Sequence, residues 1–348
     1  MADGDERTEG GEQSDDTMRE RAGRSRVTLW VLLDADRRLL AGALSAALFC
    51  GLVGAGVLHS TPAQTLLTRG DPAETLYQAL VTATVTGVTL VLTLNQVILS
   101  QELGAVGDQR DRMEGAMEFR ADAAEAVGTD VSPAEPSAFL RALVAATREE
   151  ATALADAAAG TPAADPVRRY VDSLTDNADA VTDQLEGASF GEYDVLAAAL
   201  NYNYSLKLYD GKRLRAAHAE DLPADAVDRL DALLTTLELF GPAREHFKTL
   251  YFQWELADLS RTLLYVAMPA LAVAIAALLF LDPGDFPGAT LGVPDSLLAV
   301  AATTTVSLLP FTVLLTYVLR IVTITKRTLS IGPFVLRDAD RSTDVDGE

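Results

Sequence analysis

A chain of 348 residues with 28 Lys and Arg against 50 Asp and Glu carries a net charge of −22, yet 49% of its residues are hydrophobic and its mean hydropathy is +0.16. Acid and grease on that scale must be segregated along the sequence rather than mixed on one soluble surface. With no basic face to neutralise phosphates, nucleic acid is excluded as a partner. A single cysteine, Cys50, and three scattered histidines, His59, His218 and His246, leave no intrachain disulfide and no zinc ligand set, so no metal and no cofactor is expected.

The chain opens on residues 1–26, polar and charged with almost no apolar content, which predicts a disordered tail. Val27–Leu33, with Trp30, is too short to span a bilayer and reads as an interfacial segment. Four runs without a charged residue follow, at 39–58, 76–100, 262–281 and 297–319. Each is long enough to cross about 30 Å of hydrocarbon as a helix. The first is too long, and too far into the chain, for the apolar core of a cleaved signal peptide, and is read as a retained helix. The connections 59–75 and 282–296 hold the Pro and Gly that stop helices, and Arg69-Gly70-Asp71 is read there as loop rather than as an adhesion motif. Sixteen Arg and Lys flank the other ends of the runs, while Arg69 is the one base in the two short connections. The bias expects both termini and the middle of the chain in the cytoplasm, and the chain in the plasma membrane.

The domain expectation is therefore a first transmembrane hairpin in 27–100, an acidic cytoplasmic helical domain in 101–261, a second hairpin in 262–319 and a cytoplasmic tail in 320–348. Residues 101–261 hold 30 acidic and 15 basic residues. Their punctuation predicts four helices. Ser132-Pro133 opens one that runs to Gly160, and Asp165-Pro166 opens a second closed by Gly187. A third runs from about Glu192 to Ala219, and Pro223 opens a fourth that Gly241-Pro242 ends. No alternating strand pattern occurs, so the fold class is all-α: four transmembrane helices with an inserted helical bundle between the second and third. Runs two and three are expected to continue into the cytoplasm as helical stems. Gly187-Ala-Ser189-Phe-Gly191 matches a hydrolase elbow in letters only; with a helix before it and no strand, it reads as a helix stop and restart.

Within the runs, Gly42, Ala46, Cys50 and Gly54 share one face of the first, the usual sign of close helix packing in a membrane. In the second, Thr82, Thr86, Thr89, Thr93, Gln96 and Ser100 recur at spacings of four and three, placing six hydrogen-bonding side chains on one helix face over about 27 Å of rise. Thr305, Thr312 and Thr316 form a shorter counterpart in the fourth. Such rows either pack in a buried interface or line a water-filled path. None of the runs holds an ionisable residue, which disfavours a proton-driven pump and leaves passive conduction open.

Only four of the 28 bases are Lys, and this acid-rich, Arg-over-Lys bias suits molar salt, where a Debye length of about 3 Å screens the self-repulsion of the chain. The segment entering the third run, Pro242-Ala-Arg-Glu-His-Phe-Lys-Thr-Leu-Tyr-Phe-Gln-Trp-Glu-Leu-Ala-Asp-Leu-Ser-Arg-Thr-Leu-Leu-Tyr265, resembles multi-pass membrane proteins of haloarchaea that have no assigned activity. That resemblance implies an archaeal plasma membrane. In layout alone, two spans, a helical insert and two more spans resemble bestrophin-type chloride channels. The functional expectation is a non-enzymatic, homo-oligomeric integral membrane protein that passes small inorganic ions, the alternative being a membrane-anchored scaffold or sensor acting through its helical insert.

Overall fold

The computed structural model describes residues 30–327 apart from Arg69, Leu103 and 189–192. The expected tail 1–26, most of the expected C-terminal tail and Ser189 therefore lie outside the described residues. After a single π-helical turn at Trp30–Asp34, the chain forms ten α-helices among the described residues: α1 (Arg37–Leu58), α2 (Ala63–Thr68), α3 (Pro72–Glu102), α4 (Val106–Val127), α5 (Pro136–Ala157), α6 (Ala164–Leu185), α7 (Tyr193–Asn201), α8 (Tyr204–Ala217), α9 (Ala224–Phe280) and α10 (Asp295–Arg327). One pair of two-residue antiparallel strands, β1 (Ala289–Thr290) and β2 (Val293–Pro294), is the only sheet among them. The chain is all-α, and α1, α3, α9 and α10 are each long and apolar enough to cross a membrane. Residues 110–251 form one compact unit; the described residues up to Gln109 form a second with 252–325.

The first unit is a helical bundle with a continuous apolar core. Leu140, Leu143 and Leu154 of α5, Val167, Leu174 and Val181 of α6, and Leu230, Leu237 and Phe240 of α9 are fully buried in it. These positions recur at three- and four-residue steps, the stripe that a helix presents to a core. The start of α5 differs from expectation: Ser132-Pro133 stays outside the helix, and Glu135 caps it with Pro136 in the first turn. The Glu135 carboxylate accepts from the Ser137 and Ala138 N–H groups at 3.0 and 2.7 Å and from Ser137 Oγ at 2.6 Å. Likewise α6 starts at Ala164, with Asp165 in its first turn instead of at its cap.

Burial works to raise the Glu135 carboxyl, but the bonds from Ser137 and Ala138 and the charge of Arg141 outweigh it and hold the group below its ordinary value of 4.5. A depressed carboxyl contributes stability that is complete above the unfolded value and is lost as pH falls through the folded one. Glu135→Ala is expected to lower stability by roughly 1 kcal/mol at neutral pH. The gap from wild type should close below the depressed folded value, where the wild-type carboxylate is itself protonated. Thermal melts of the purified chain at both ends of that window check it.

Two further helix boundaries depart from the punctuation. The expected third helix is two, α7 and α8, broken at Tyr202-Asn203. Asn177 of α6 holds the break open: its Nδ2 donates to Asn201 O at 3.0 Å, and its Oδ1 accepts from Asn203 N–H at 3.1 Å. Tyr202, turned inward by the break, meets Thr147 at 2.6 Å. Gly241-Pro242, in contrast, does not end a helix; α9 runs through it. Gly241 serves packing, since a Cβ there would lie 3.0 Å from the Tyr204 ring. Proline costs an interior helix about 3 kcal/mol, but Leu237, Phe240 and Ala243 are all buried around this point and hold the helix in register. Of the two expected stems, run three has its helical extension in α9, whereas run two ends at Glu102, and Gly104-Ala105 separates it from α4.

Candidate functional site

In the second unit, α3 buries one face, formed by Tyr77, Leu80, Thr84 and Val91. Those steps of three, four and seven leave the opposite face outward, and Thr82, Thr86, Thr89, Thr93, Gln96 and Ser100 all lie on exposed positions there. Each threonine hydroxyl in the row donates to the carbonyl four residues earlier: Thr82 to Gln78 at 3.0 Å, Thr86 to Thr82 at 2.8 Å, Thr89 to Val85 at 2.8 Å and Thr93 to Thr89 at 2.9 Å. The hydroxyl proton is thereby occupied, and what the row presents outward is acceptor oxygen and methyl. An all-apolar helix would need no such row, and nothing among the described residues of this unit covers it.

The counterpart on α10 has the opposite placement. Thr316 is fully buried and donates to Val313 O at 2.8 Å. Thr312, partly buried, donates to Leu309 O at 2.9 Å and lies 3.0 Å from Ser45 Oγ of α1, which itself donates to Ala41 O. Thr305, half-buried, donates to Ala301 O at 2.7 Å. Higher along the same helix, Thr303 meets Tyr77 Oη of α3 at 2.5 Å. The α10 hydroxyls thus belong to the packing of the four helices against one another, and the structure does not bring them together with the α3 row. Three buried hydroxyls of this unit that the sequence reading left out, Thr84, Ser296 and Thr304, meet no hydrogen-bond partner among the described residues, a cost to the unit.

On α1, Gly42, Ala46 and Cys50 are exposed, and a Cβ at Gly42 or Gly54 would meet nothing within 4 Å. The expected close packing of this face is not made among the described residues. The tight contact of α1 is instead at Gly56, against Leu297 of α10.

A polar collar at one end of the four helices was missed from sequence. Arg320 of α10 lies 3.4 Å from Glu255 of α9 and donates to Ala35 O at 3.2 Å; the two charged side chains are only 11% and 12% exposed. One turn further on α9, Asp258 accepts from Tyr317 Oη at 2.6 Å and from Arg261 at 2.7 Å. Asn95 of α3 donates to Ser260, and Arg37 of α1 donates to Leu33 O at 2.8 Å. Arg37 and Arg261 are among the sixteen bases that set the expected orientation, and Arg320, another of them, also continues the row of Thr305, Thr312 and Thr316. The signal for the collar was present: two carboxylates three residues apart, one turn before the third run, and an arginine directly after the fourth.

Among the described residues no group of His, Cys, Asp or Glu could hold a metal ion. The whole chain, residues 1–348, matches a family of unknown function, DUF7972, and belongs to it. No curated protein and no solved structure matches the chain.

Proposed function

We propose that this member of the DUF7972 family is a non-enzymatic, homo-oligomeric membrane protein that passes small inorganic ions, with the α3 row of each copy turned to a shared path. The observation that carries the reading is the outward placement of Thr82, Thr86, Thr89, Thr93, Gln96 and Ser100 on a helix long enough to span. Polar side chains within membrane helices face other protein or water far more often than lipid. Acceptor oxygens favour cations over anions at such a wall. The excess of 30 acidic over 15 basic residues in 101–261 favours cations too, since a strongly acidic chain raises the local concentration of its counter-ions. Selectivity of this sign would set the protein apart from the bestrophin-type chloride channels that its layout resembles. In this reading the lipid bilayer, further copies of the chain and small ions are its partners, and nucleic acid is not.

The reading places both termini and residues 101–261 in the cytoplasm of a haloarchaeal cell, by the sixteen-to-one distribution of Arg and Lys. Cysteine at Thr65, in a Cys50→Ala background, is expected to react with an impermeant thiol reagent on intact cells, and cysteine at Asp176 only after lysis. The reverse pattern would overturn the orientation. The activity itself is tested with purified protein in vesicles: sodium or potassium flux above protein-free controls supports the channel, and no flux of sodium, potassium or chloride ends it. One observation favours the alternative, a scaffold or sensor: α9 is a single helix from Ala224 to Phe280, so core residues of the helical bundle and an apolar span belong to one continuous helix.

A further inference from the structure

The connection between α9 and α10 places an apolar side chain where the backbone disfavours one. β1 and β2 pair in the register Ala289↔Pro294 and Thr290↔Val293, and the two residues of the turn, Leu291 and Gly292, have φ of +53° and +80°. Turns with both central residues in this region take Asn, Asp or Gly; a branched side chain there is strained. Leu291 is also 99% exposed, so no packing among the described residues offsets the strain. The hairpin is nonetheless firmly built. Thr290 Oγ1 donates to Asp295 Oδ1 at 2.7 Å, and the Asp295 N–H donates to Gly288 O at 2.9 Å, closing the base on the first residue of α10.

A costly residue that touches nothing among the described residues calls for a partner beyond them. Connectivity says which. The hairpin joins Phe280, the end of one helix apolar enough to span, to Asp295, the start of another, so it sits at the edge of the bilayer. Phe280 and Phe286 in the same connection are also exposed, while the Asp282 carboxylate is turned onto Gly284 N–H at 2.8 Å. We propose that the β1–β2 hairpin is an interfacial anchor whose tip, Leu291, seats in the acyl-chain edge of the bilayer. A lipid surface takes a single apolar tip without a matching pocket, whereas a second copy of the chain would have to offer one.

The test uses the full chain with Cys50→Ala and Leu291→Cys, nitroxide-labelled, in vesicles of phosphatidylcholine and phosphatidylglycerol. Collisions with oxygen and with a water-soluble nickel chelate are compared with those of labels at Met268→Cys, exposed on the apolar part of α9, and Glu220→Cys, exposed on the helical bundle. The expected result is an oxygen-to-nickel ratio at 291 shifted from the Glu220 value towards the Met268 value. A ratio equal to that at Glu220 would overturn the proposal, and so would dipolar broadening between labels, which would assign the tip to a second copy. Leu291→Asn, which suits positive φ, is expected to leave the melting temperature in detergent unchanged or raised. A lowered one would show that Leu291 holds the fold and would also overturn it. None of these readouts depends on ion flux.

Discussion

Arg320→Met, with Glu255 left in place, is expected to destabilise the four-helix unit by about 3–5 kcal/mol, read as a fall in the melting temperature of the purified chain. The two side chains lie 3.4 Å apart at 11% and 12% exposure, and Arg320 also donates to Ala35 O just before α1. One guanidinium therefore ties α10 to α9 and to the entry of α1. Methionine matches much of its length but takes away the guanidinium 3.4 Å from the Glu255 carboxylate, and removing one partner of a buried charge pair costs far more than the pair itself contributes. Replacing both residues with Met removes the charge together with its partner, and should recover most of the loss. That recovery separates the charge from packing: if the double variant is as unstable as the single, the arginine acts through its stem. A single-variant loss near 1 kcal/mol would place the pair among solvent-screened surface bridges.

What could be read in the sequence follows from which physical signal is local. Charge-free runs of twenty or more residues depend only on the chain and the bilayer, and four helices long enough to span stand at those positions. The caps at Glu135 and Ala163 lie a few residues from where punctuation put them, because Pro is tolerated in a first turn as well as before one. Gly241-Pro242 and Tyr202-Asn203 were misread for a common reason. Whether a helix ends is decided there by residues distant in sequence: the Tyr204 ring over Gly241, and the Asn177 amide bridging Asn201 and Asn203. No window of neighbouring letters contains those partners.

The polar rows show the same limit. The α3 and α10 rows have similar letters at similar spacing, yet Thr316 is buried while Thr89 and Thr93 are exposed. Periodicity places residues on one face of a helix; which way that face turns depends on the other three helices. The collar was hidden for a different reason, since Glu255, Asp258 and Arg320 lie just outside the charge-free runs and read as ordinary flanking charge until α9 and α10 are brought together.

Thr89→Leu and Thr93→Leu are expected to abolish most ion flux while leaving the single chain intact. Both threonines lie on the outward face of α3, and each hydroxyl bonds only its own helix, to Val85 O and Thr89 O. Leucine there disturbs no packing within the unit, favours insertion, and should alter the stability of the single chain by no more than about 0.5 kcal/mol, as for surface sites in general. At a shared path the same change replaces acceptor oxygens with a wider apolar side chain, narrowing and dewetting the wall. A barrier raised by about 1.4 kcal/mol already cuts a rate about tenfold. Gln96→Leu, removing the largest side-chain dipole of the row, should have the greatest effect. Thr316→Leu is the control from the buried row: it overfills a closed site on α10 and should cost roughly 1–3 kcal/mol of stability. Should Thr89→Leu and Thr93→Leu instead weaken the oligomer, by about 0.6–1.7 kcal/mol for each lost interhelical bond, and leave flux per assembled oligomer unchanged, then the row joins copies together without bordering a path, and the scaffold reading takes the place of the channel.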